Sequence, residues 1–185
     1  MTDLNKMTQS GYDYRLKQLG IQLPKAVSPA ANYVPARKSG SFVYIAGQVP
    51  TVDGKDQYVG KVGKDVSIEE AQKAARLCAI NILAQLRTAL GGSHDSVVGC
   101  VRLGGFVNAT PEFGDHPKVI NGASDLMVEV FGDAGRHARA AVGCDARWLA
   151  SGFVDVAFLR EQWAALRAGD DPHDEHYRYA AFLRL

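Results

Sequence analysis

The feature that most constrains this chain is one long amphipathic helix that its sequence predicts near the middle. Ser67 is followed three residues later by Glu70, the spacing of a capping box, in which each side chain hydrogen-bonds the other residue's backbone N–H. Apolar residues then recur at three- and four-residue steps: Ile68, Ala71, Ala75, Cys78, Ile82 and Leu86. Gly91 and Gly92 end the helix. A helix with one apolar face must bury it against another layer, so we expect a packed domain.

The segments around this helix have the period of β-strands. "SFVYIAGQVP" alternates apolar positions, and "SVVGCVRLGGFVNAT" predicts a strand broken near Gly104 and Gly105 by a bulge or a close backbone approach. A second helix is predicted from about Pro117 to Phe131, and "RHARAAVGC" and "VDVAF" predict two more strands. Long helices against one sheet define the α+β class.

Three segments are expected along the chain. A short helix from Tyr12 to about Leu19, stopped by Gly20, predicts an N-terminal helical arm over residues 1–20. Residues 21–160 form the α+β domain, and residues 161–185 are a C-terminal extension. Prolines at 29 and 35 exclude a regular helix between them, so Tyr33 is expected on extended or turn backbone.

The charge and hydropathy of the chain exclude two classes of partner. Lys and Arg number 21 against 20 Asp and Glu, for a net charge of +1, so we predict no nucleic-acid partner. No apolar stretch reaches the length of about eighteen residues that a membrane span requires, and the N-terminus has no apolar signal region. We therefore expect no membrane contact and a cytoplasmic location.

The cysteines do not form a metal or disulfide pattern. Cys78, Cys100 and Cys144 are an odd number without a CxxC spacing, so we expect reduced and mostly buried thiols. A reactive thiol is the alternative.

The histidines offer one cluster, in the C-terminal tail. His173 and His176 lie among acidic residues, but Pro172 and a neighbouring glycine favour a solvated loop, so we predict no metal. Three single histidines have no paired ligand spacing, and surface or capping roles are expected for them: His94, His116 and His137.

Two charges interrupt the last predicted strands. A period of two puts Arg139 on one face with Ala141 and Gly143, and these small residues leave space for a planar anion beside the guanidinium. The valines on either side of Asp155 share one face, so Asp155 projects to the other. If the two strands are neighbours, Arg139 and Asp155 face one cavity. A simple ion pair between them is the alternative.

Several stretches resemble the RidA/YjgF family, also called endoribonuclease L-PSP-like proteins, and in particular its subgroup of longer chains. They are "NYVPARKSGSFVYIAGQVP", "PKVINGASDLMVEVFGD" and "RHARAAVGC" followed by "VDVAF". The resemblance covers about residues 20 to 160, in order. It implies a chorismate-mutase-like sheet with two main helices packed on one face, which forms a trimeric barrel with a pocket between neighbouring subunits.

The resemblance also implies an activity that needs no cofactor. It is the hydrolytic deamination of reactive 2-imino or enamine acids to 2-keto acids and ammonia, as in a 2-iminobutanoate/2-iminopropanoate deaminase. Arg139 then binds the substrate carboxylate, Asp155 handles the water, and Tyr33, Gly47 and Asn121 line the substrate site. Two positions depart from the family pattern, since "AGQ" replaces the commoner "SGQ" and Asp155 replaces a glutamate.

Two other functions remain open. A non-catalytic homotrimer could bind a small carboxylate metabolite, such as a keto acid, in the same cleft. An endoribonuclease is disfavoured, because the chain has neither a basic surface nor a ladder of stacking aromatic residues.

Overall fold

The computed structural model describes residues 11–28, 31–145 and 152–160, and within the last range it describes the side chains of Val154, Val156, Ala157 and Phe158. Three α-helices and seven strands form this part of the chain. In chain order they are α1 (Tyr12–Gln18), β1 (Ala36–Ser39), β2 (Phe42–Gln48), β3 (Thr51–Val52), β4 (Lys55–Asp56), α2 (Ile68–Ala89), β5 (Val97–Asn108), α3 (His116–Phe131), β6 (Ala138–Cys144) and β7 (Gly152–Arg160). A short 3-10 helix, Gly132–Gly135, joins α3 to β6.

Five of the strands form one mixed sheet in the order β1-β2-β7-β5-β6. The β5–β6 pair is parallel and the other pairs are antiparallel. Strands β3 and β4 form a separate hairpin whose turn places Asp53 and Gly54 at positive φ, as the "DG" dipeptide predicts. Strand β7, the last in the ranges that the structure describes, therefore inserts between β2 and β5 in the centre of the sheet.

The predicted central helix is confirmed, including its start. The Ser67 hydroxyl accepts a hydrogen bond from the Glu70 backbone N–H at 3.2 Å, and the Glu70 carboxylate accepts one from the Ser67 N–H at 2.9 Å. The apolar face of α2 is buried with α3 against one face of the sheet. Strand alternation matches this arrangement, because Val43 and Ile45 of β2 are buried while Tyr44 between them is exposed. The α+β class follows from these layers.

Strand β5 differs from its prediction in one respect. It runs unbroken through Gly104 and Gly105, and its register shifts lie earlier, between Val97 and Gly99 and between Cys100 and Arg102. The expected close approach does occur at Gly105, where an added Cβ would lie 2.4 Å from Cδ1 of Ile120 on α3. Glycine here makes room for a helix and leaves the strand intact.

Helices α2 and α3 meet at backbone distance. A Cβ added at Gly122 would lie 2.0 Å from the backbone oxygen of Gln72 on α2. The Gln72 side chain also donates a hydrogen bond to the Lys118 backbone oxygen at 2.9 Å. Farther along, Arg76 donates two hydrogen bonds to Glu129, at 3.1 and 2.7 Å. Small residues and paired polar groups therefore fix the position of α3 on α2.

A buried histidine, His94, holds the N-terminal helix α1. A surface or capping role was expected for it, and the surface role is wrong. His94 is fully buried, with Nδ1 2.8 Å from an Asp13 carboxylate oxygen and Nε2 2.8 Å from the Leu83 backbone oxygen. Burial would raise the pKa of Asp13, but hydrogen bonds from Ser93 and His94 and the attraction of His94 outweigh it and lower that pKa. Tyr12 adds an edge-on ring contact with Phe131 at 4.7 Å.

The predicted C-terminal extension, with His173 and His176, lies outside the described residues. Among residues 11–160 that the structure describes, no group of three or more side chains could hold a metal ion. Within the same ranges, no helix combines the length and the apolar character needed to cross a bilayer.

The close contact between α2 and α3 predicts that alanine at position 122 destabilises the fold, the reverse of its usual effect in a helix. In an open helix, Gly→Ala stabilises by about 1 kcal/mol, but at Gly122 the new methyl would meet backbone that has no rotamer to change. We expect Gly122→Ala to lower the free energy of unfolding by about 1 to 3 kcal/mol in urea denaturation. Gly114→Ala is the matched control, since a Cβ there meets no atom within 4 Å. Equal or greater stability of Gly122→Ala would contradict this packing.

Candidate functional site

Arg139 lies on β6, at one edge of the sheet, and its guanidinium is held by α3. Nη1 donates hydrogen bonds to the side-chain oxygen of Asn121 at 2.8 Å and to the hydroxyl of Ser124 at 3.2 Å. Residues three apart on a helix share a face, so one face of α3 supplies both acceptors. Two of the residues predicted to bind substrate, Arg139 and Asn121, are therefore in direct contact.

A second layer of hydrogen bonds continues from Ser124. Its hydroxyl lies 3.1 Å from Nε2 of His137, and Nδ1 of that ring lies 2.6 Å from the Gly135 backbone oxygen. Burial lowers the pKa of His137; the bond to Gly135 acts in the opposite direction, and the charge of Arg139 lowers the pKa further. The His137 ring is half-buried, and the charged group that acts on it is the Arg139 guanidinium.

The oxygen atoms that hold Arg139 are both neutral, so they leave its positive charge uncompensated. Among the described residues, Nη1 makes the hydrogen bonds of the guanidinium, and Nη2 and Nε remain available to solvent or to a ligand. The side chain is exposed. A guanidinium that is fixed through one nitrogen can use its other N–H groups to donate two parallel hydrogen bonds to a carboxylate.

The small residues beside Arg139, Ala141 and Gly143, were predicted to leave space for an anion, but they make contact with other parts of the fold. Ala141 packs against the hydrophobic core, and a Cβ added at Gly143 would lie 2.4 Å from Nε2 of His116 on α3. They make room for the helix and its histidine, and the predicted space on this face is filled. A ligand of Arg139 must therefore approach from the open edge of the sheet.

The strands that carry Asp155 and Arg139 are not neighbours within one chain. Strand β5 lies between β6 and β7, and Leu103 of β5 pairs with both Arg139 and Val156. Asp155 pairs with Gly104, one residue out of register with Arg139. The condition for a shared cavity in a single chain therefore fails. The side chain of Asp155 lies outside the described residues, and its catalytic role stays a prediction.

The remaining predicted site residues lie at the other end of the sheet. Tyr33 precedes β1 and is exposed, and Gly47 lies in β2 where the pairing with β7 slips between Ile45 and Gln48. Strand β1 is the edge opposite β6 and β2 lies next to it, so these strands are three to four strand spacings, or about 14 to 19 Å, from β6. The candidate site thus consists of two halves: an arginine half at the β6 edge and a tyrosine half at the β1–β2 edge.

Two surface cavities lie elsewhere on the molecule. One of about 530 Å³ is lined by residues that include Lys64, Ser67 and Phe113, and one of about 390 Å³ includes Lys25 and Asn81. Neither is lined by a predicted site residue. Arg139 and Tyr33, one from each half of the candidate site, are exposed on this chain.

The three cysteines are free, and their environments do not activate a thiol. Burial raises the pKa of Cys78 and raises that of Cys100 to about 12. Burial and the neighbouring Asp145 also raise the pKa of Cys144, which is partly exposed. A nucleophilic thiol needs a lowered pKa, so the alternative of a reactive cysteine loses its support.

The sequence analysis missed Ser124 and His137 as members of the arginine half. Period alone places each of them on the face of a predicted residue, but it does not show that they touch Arg139. Ser124 follows Asn121 by three residues on a helix, and His137 precedes Arg139 by two residues on a strand, so each shares a face with a residue that was identified. His137 had instead been assigned a surface or capping role because no second ligand-like histidine stood near it.

With this geometry in place, comparison with known proteins identifies the class. Residues 13–155 match the family model described as "YjgF/chorismate_mutase-like, putative endoribonuclease". This chain belongs to that family, as the resemblance indicated.

Individual relatives agree with this assignment. The chain is 45% identical over 129 residues to Protein TCP17 of Trypanosoma cruzi, covering 69% of this chain and 80% of that one. A solved protein of unknown function from Agrobacterium tumefaciens is 46% identical, with a TM-score of 0.74 over 81% of this chain and 93% of its own. One described as a "putative endoribonuclease" from Shewanella oneidensis is 33% identical, with a TM-score of 0.77 over 81% and 99%.

Proposed function

We propose that this protein hydrolyses the C=N bond of small 2-imino acids and releases a 2-keto acid and ammonia. The observation that carries the proposal is the Arg139 guanidinium, held by neutral acceptors of α3 with its remaining donors free. A carboxylate bound there would fix the adjacent imine carbon for attack by water. Water adds its oxygen to that carbon, the C–N bond breaks, and nitrogen leaves as ammonia with the protons of the water.

We further propose that each complete site is built by two copies of the chain. Within one copy the arginine half and the tyrosine half lie toward opposite edges of the sheet, about 14 to 19 Å apart. The sheet face away from the helices also carries exposed apolar side chains, with Tyr44 49%, Val98 45% and Val142 45% exposed. Packing this face inward in a homotrimer would cover the apolar residues and bring the two halves of neighbouring copies together.

Asp155 is proposed to hold the attacking water and to pass a proton to the departing nitrogen. The role comes from its match to the family's glutamate position. A carboxylate can exchange protons near neutral pH, whereas an amide of the same shape cannot. In the cytoplasm the substrates would be imines released by other enzymes of amino-acid metabolism.

Arg139 gives the first test. With 2-iminobutanoate generated in situ by a dehydratase, the wild-type protein should accelerate ammonia release, and Arg139→Ala should lose that acceleration. Affinity for 2-ketobutyrate should fall by about a hundredfold or more, because hydrogen bonds to charged groups contribute about 1.5 to 3 kcal/mol each. Arg139→Lys should recover little. Arg136→Ala removes an exposed arginine three residues away and should behave as wild type. Binding of 2-ketobutyrate without any acceleration would favour the non-catalytic carboxylate-binding protein.

A variant of Asp155 distinguishes a loss of turnover from a loss of substrate binding. In the same assay, Asp155→Asn should slow imine hydrolysis by about a hundredfold or more and keep most of the affinity for 2-ketobutyrate. The expected pattern is a loss in kcat with little change in the binding constant. Wild-type turnover in Asp155→Asn would remove this residue from the mechanism.

The shared site predicts that two inactive variants complement each other. Tyr33→Ala and Arg139→Ala are to be expressed with different tags, mixed by refolding together and purified through both tags. A trimer that carries both tags holds two copies of one variant and one of the other, so one of its three sites receives an intact tyrosine half and an intact arginine half, and activity should return to about a third of wild type. Pure preparations of either variant, refolded in the same way, are the control. Assemblies that carry both tags and stay inactive would place the site within one chain.

A further inference from the structure

The arginine half contains two groups that the proposed reaction does not use, Ser124 and His137. They form a continuous path of polar contacts from the guanidinium inward: Arg139 Nη1 to Ser124 at 3.2 Å, Ser124 to His137 Nε2 at 3.1 Å, and His137 Nδ1 to the Gly135 oxygen at 2.6 Å. The path starts at the exposed edge and ends at the turn between α3 and β6.

While His137 is neutral, the donors and acceptors on this path allow one arrangement of protons that satisfies every contact. The Gly135 carbonyl only accepts, so Nδ1 of His137 carries a proton. Arg139 only donates, so the Ser124 oxygen accepts from it and turns its own proton toward Nε2 of His137. This requires a neutral His137 with its proton on Nδ1.

A second proton on His137 would break that arrangement. Nε2 would then donate to the Ser124 oxygen, and the hydroxyl proton would have to leave the path. Two positive groups, the imidazolium and the guanidinium, would stand on either side of one hydroxyl. Burial and the charge of Arg139 lower the pKa of His137 from its ordinary value, so the neutral ring prevails at pH 7 and the ring takes up its second proton only as the pH falls.

The other groups around His137 do not offset this repulsion. From α3 it meets the neutral Ser124 hydroxyl, and from the 3-10 helix the Gly135 carbonyl. Arg136 and Asp133 on the adjoining turn bind each other at 3.2 Å and are largely exposed, at 74% and 98%. The charge that faces the ring from β6 is that of Arg139.

We propose that Ser124 and His137 are positioning residues that hold the Arg139 guanidinium ready for a carboxylate while His137 is neutral and release it when His137 is protonated. The proposal rests on the proposed function of Arg139 and adds a pH control to that site. Its direction is defined: carboxylate binding is strongest with neutral His137 and weakens as the pH falls.

Calorimetry can test the direction in which carboxylate affinity changes with pH. The measurement is the binding of 2-ketobutyrate to the full-length protein between pH 8 and pH 5. The carboxylate of this probe stays ionised throughout the range, so a change in affinity reports on the protein. Wild-type affinity should fall about fivefold or more toward pH 5. Ser124→Ala should bind about three- to tenfold more weakly at pH 8, the effect of one hydrogen bond, and should lose most of the pH dependence. Arg136→Ala should keep the wild-type profile.

A pair of His137 variants separates positioning from bulk structure. Glutamine can place an acceptor near the Nε2 position, whereas asparagine can replace only the Nδ1 side of the ring. His137→Gln should therefore recover most of the affinity that His137→Asn loses at pH 8, and both should show a flat pH profile. A flat wild-type profile, or the wild-type profile in His137→Gln, would overturn the proposal.

Nitrogen-15 NMR of the His137 imidazole tests the same path without ligand or turnover. Its result therefore separates an error in the proposed path from an error in the proposed function. The wild-type ring at pH 8 should be the Nδ1-protonated tautomer. Arg139→Gln should raise the pH at which His137 titrates, because it removes the neighbouring charge. A ring protonated on Nε2, or a titration unaffected by Arg139→Gln, would exclude the path even if the protein binds carboxylates.

Discussion

The backbone contact between α2 and α3 is the constraint on which the candidate site depends. Gly122 lets α3 approach Gln72 without a side chain between them, and Gly105 lets Ile120 of the same helix press on β5. The residues on either side of this contact, Asn121 and Ser124, then reach Arg139 across from β6. A helix held this closely on two sides has little freedom to shift, so the guanidinium is positioned by packing as much as by its own hydrogen bonds.

Local features of the fold could be predicted from the sequence, and non-local ones could not. The capping box at Ser67 and the alternation in β2 each depend on residues within a few positions of one another, and each was confirmed. Strand order depends on pairing between distant segments, and no local pattern indicated that β7 enters between β2 and β5. The condition for one cavity shared by Arg139 and Asp155, that their strands be neighbours, is not met within one chain for that reason.

The arginine half was predicted in part for a similar reason. Arg139 could be singled out because a charge among small residues on a strand is unusual, and Asn121 came from the family resemblance. Ser124 and His137 carry no such signal, since serine and histidine are common at helix surfaces and turns. Only the register of α3 over β6 makes them partners. His94 illustrates the same limit, because a carboxylate from the distant Asp13 accompanies its burial.

The two edges of the sheet differ in how they resist unwanted pairing. Strand β1 carries Arg37 and Lys38, both exposed, and charged side chains of this kind discourage another strand from adding to an edge. Strand β6 has Arg139 as its one charge, turned toward α3, while Ala140 and Val142 are exposed. Its backbone edge is thus poorly guarded in an isolated copy. A chain whose arginine edge stays uncovered would be vulnerable to aggregation by strand addition, so selection for solubility and selection for a covered arginine edge act on this strand together.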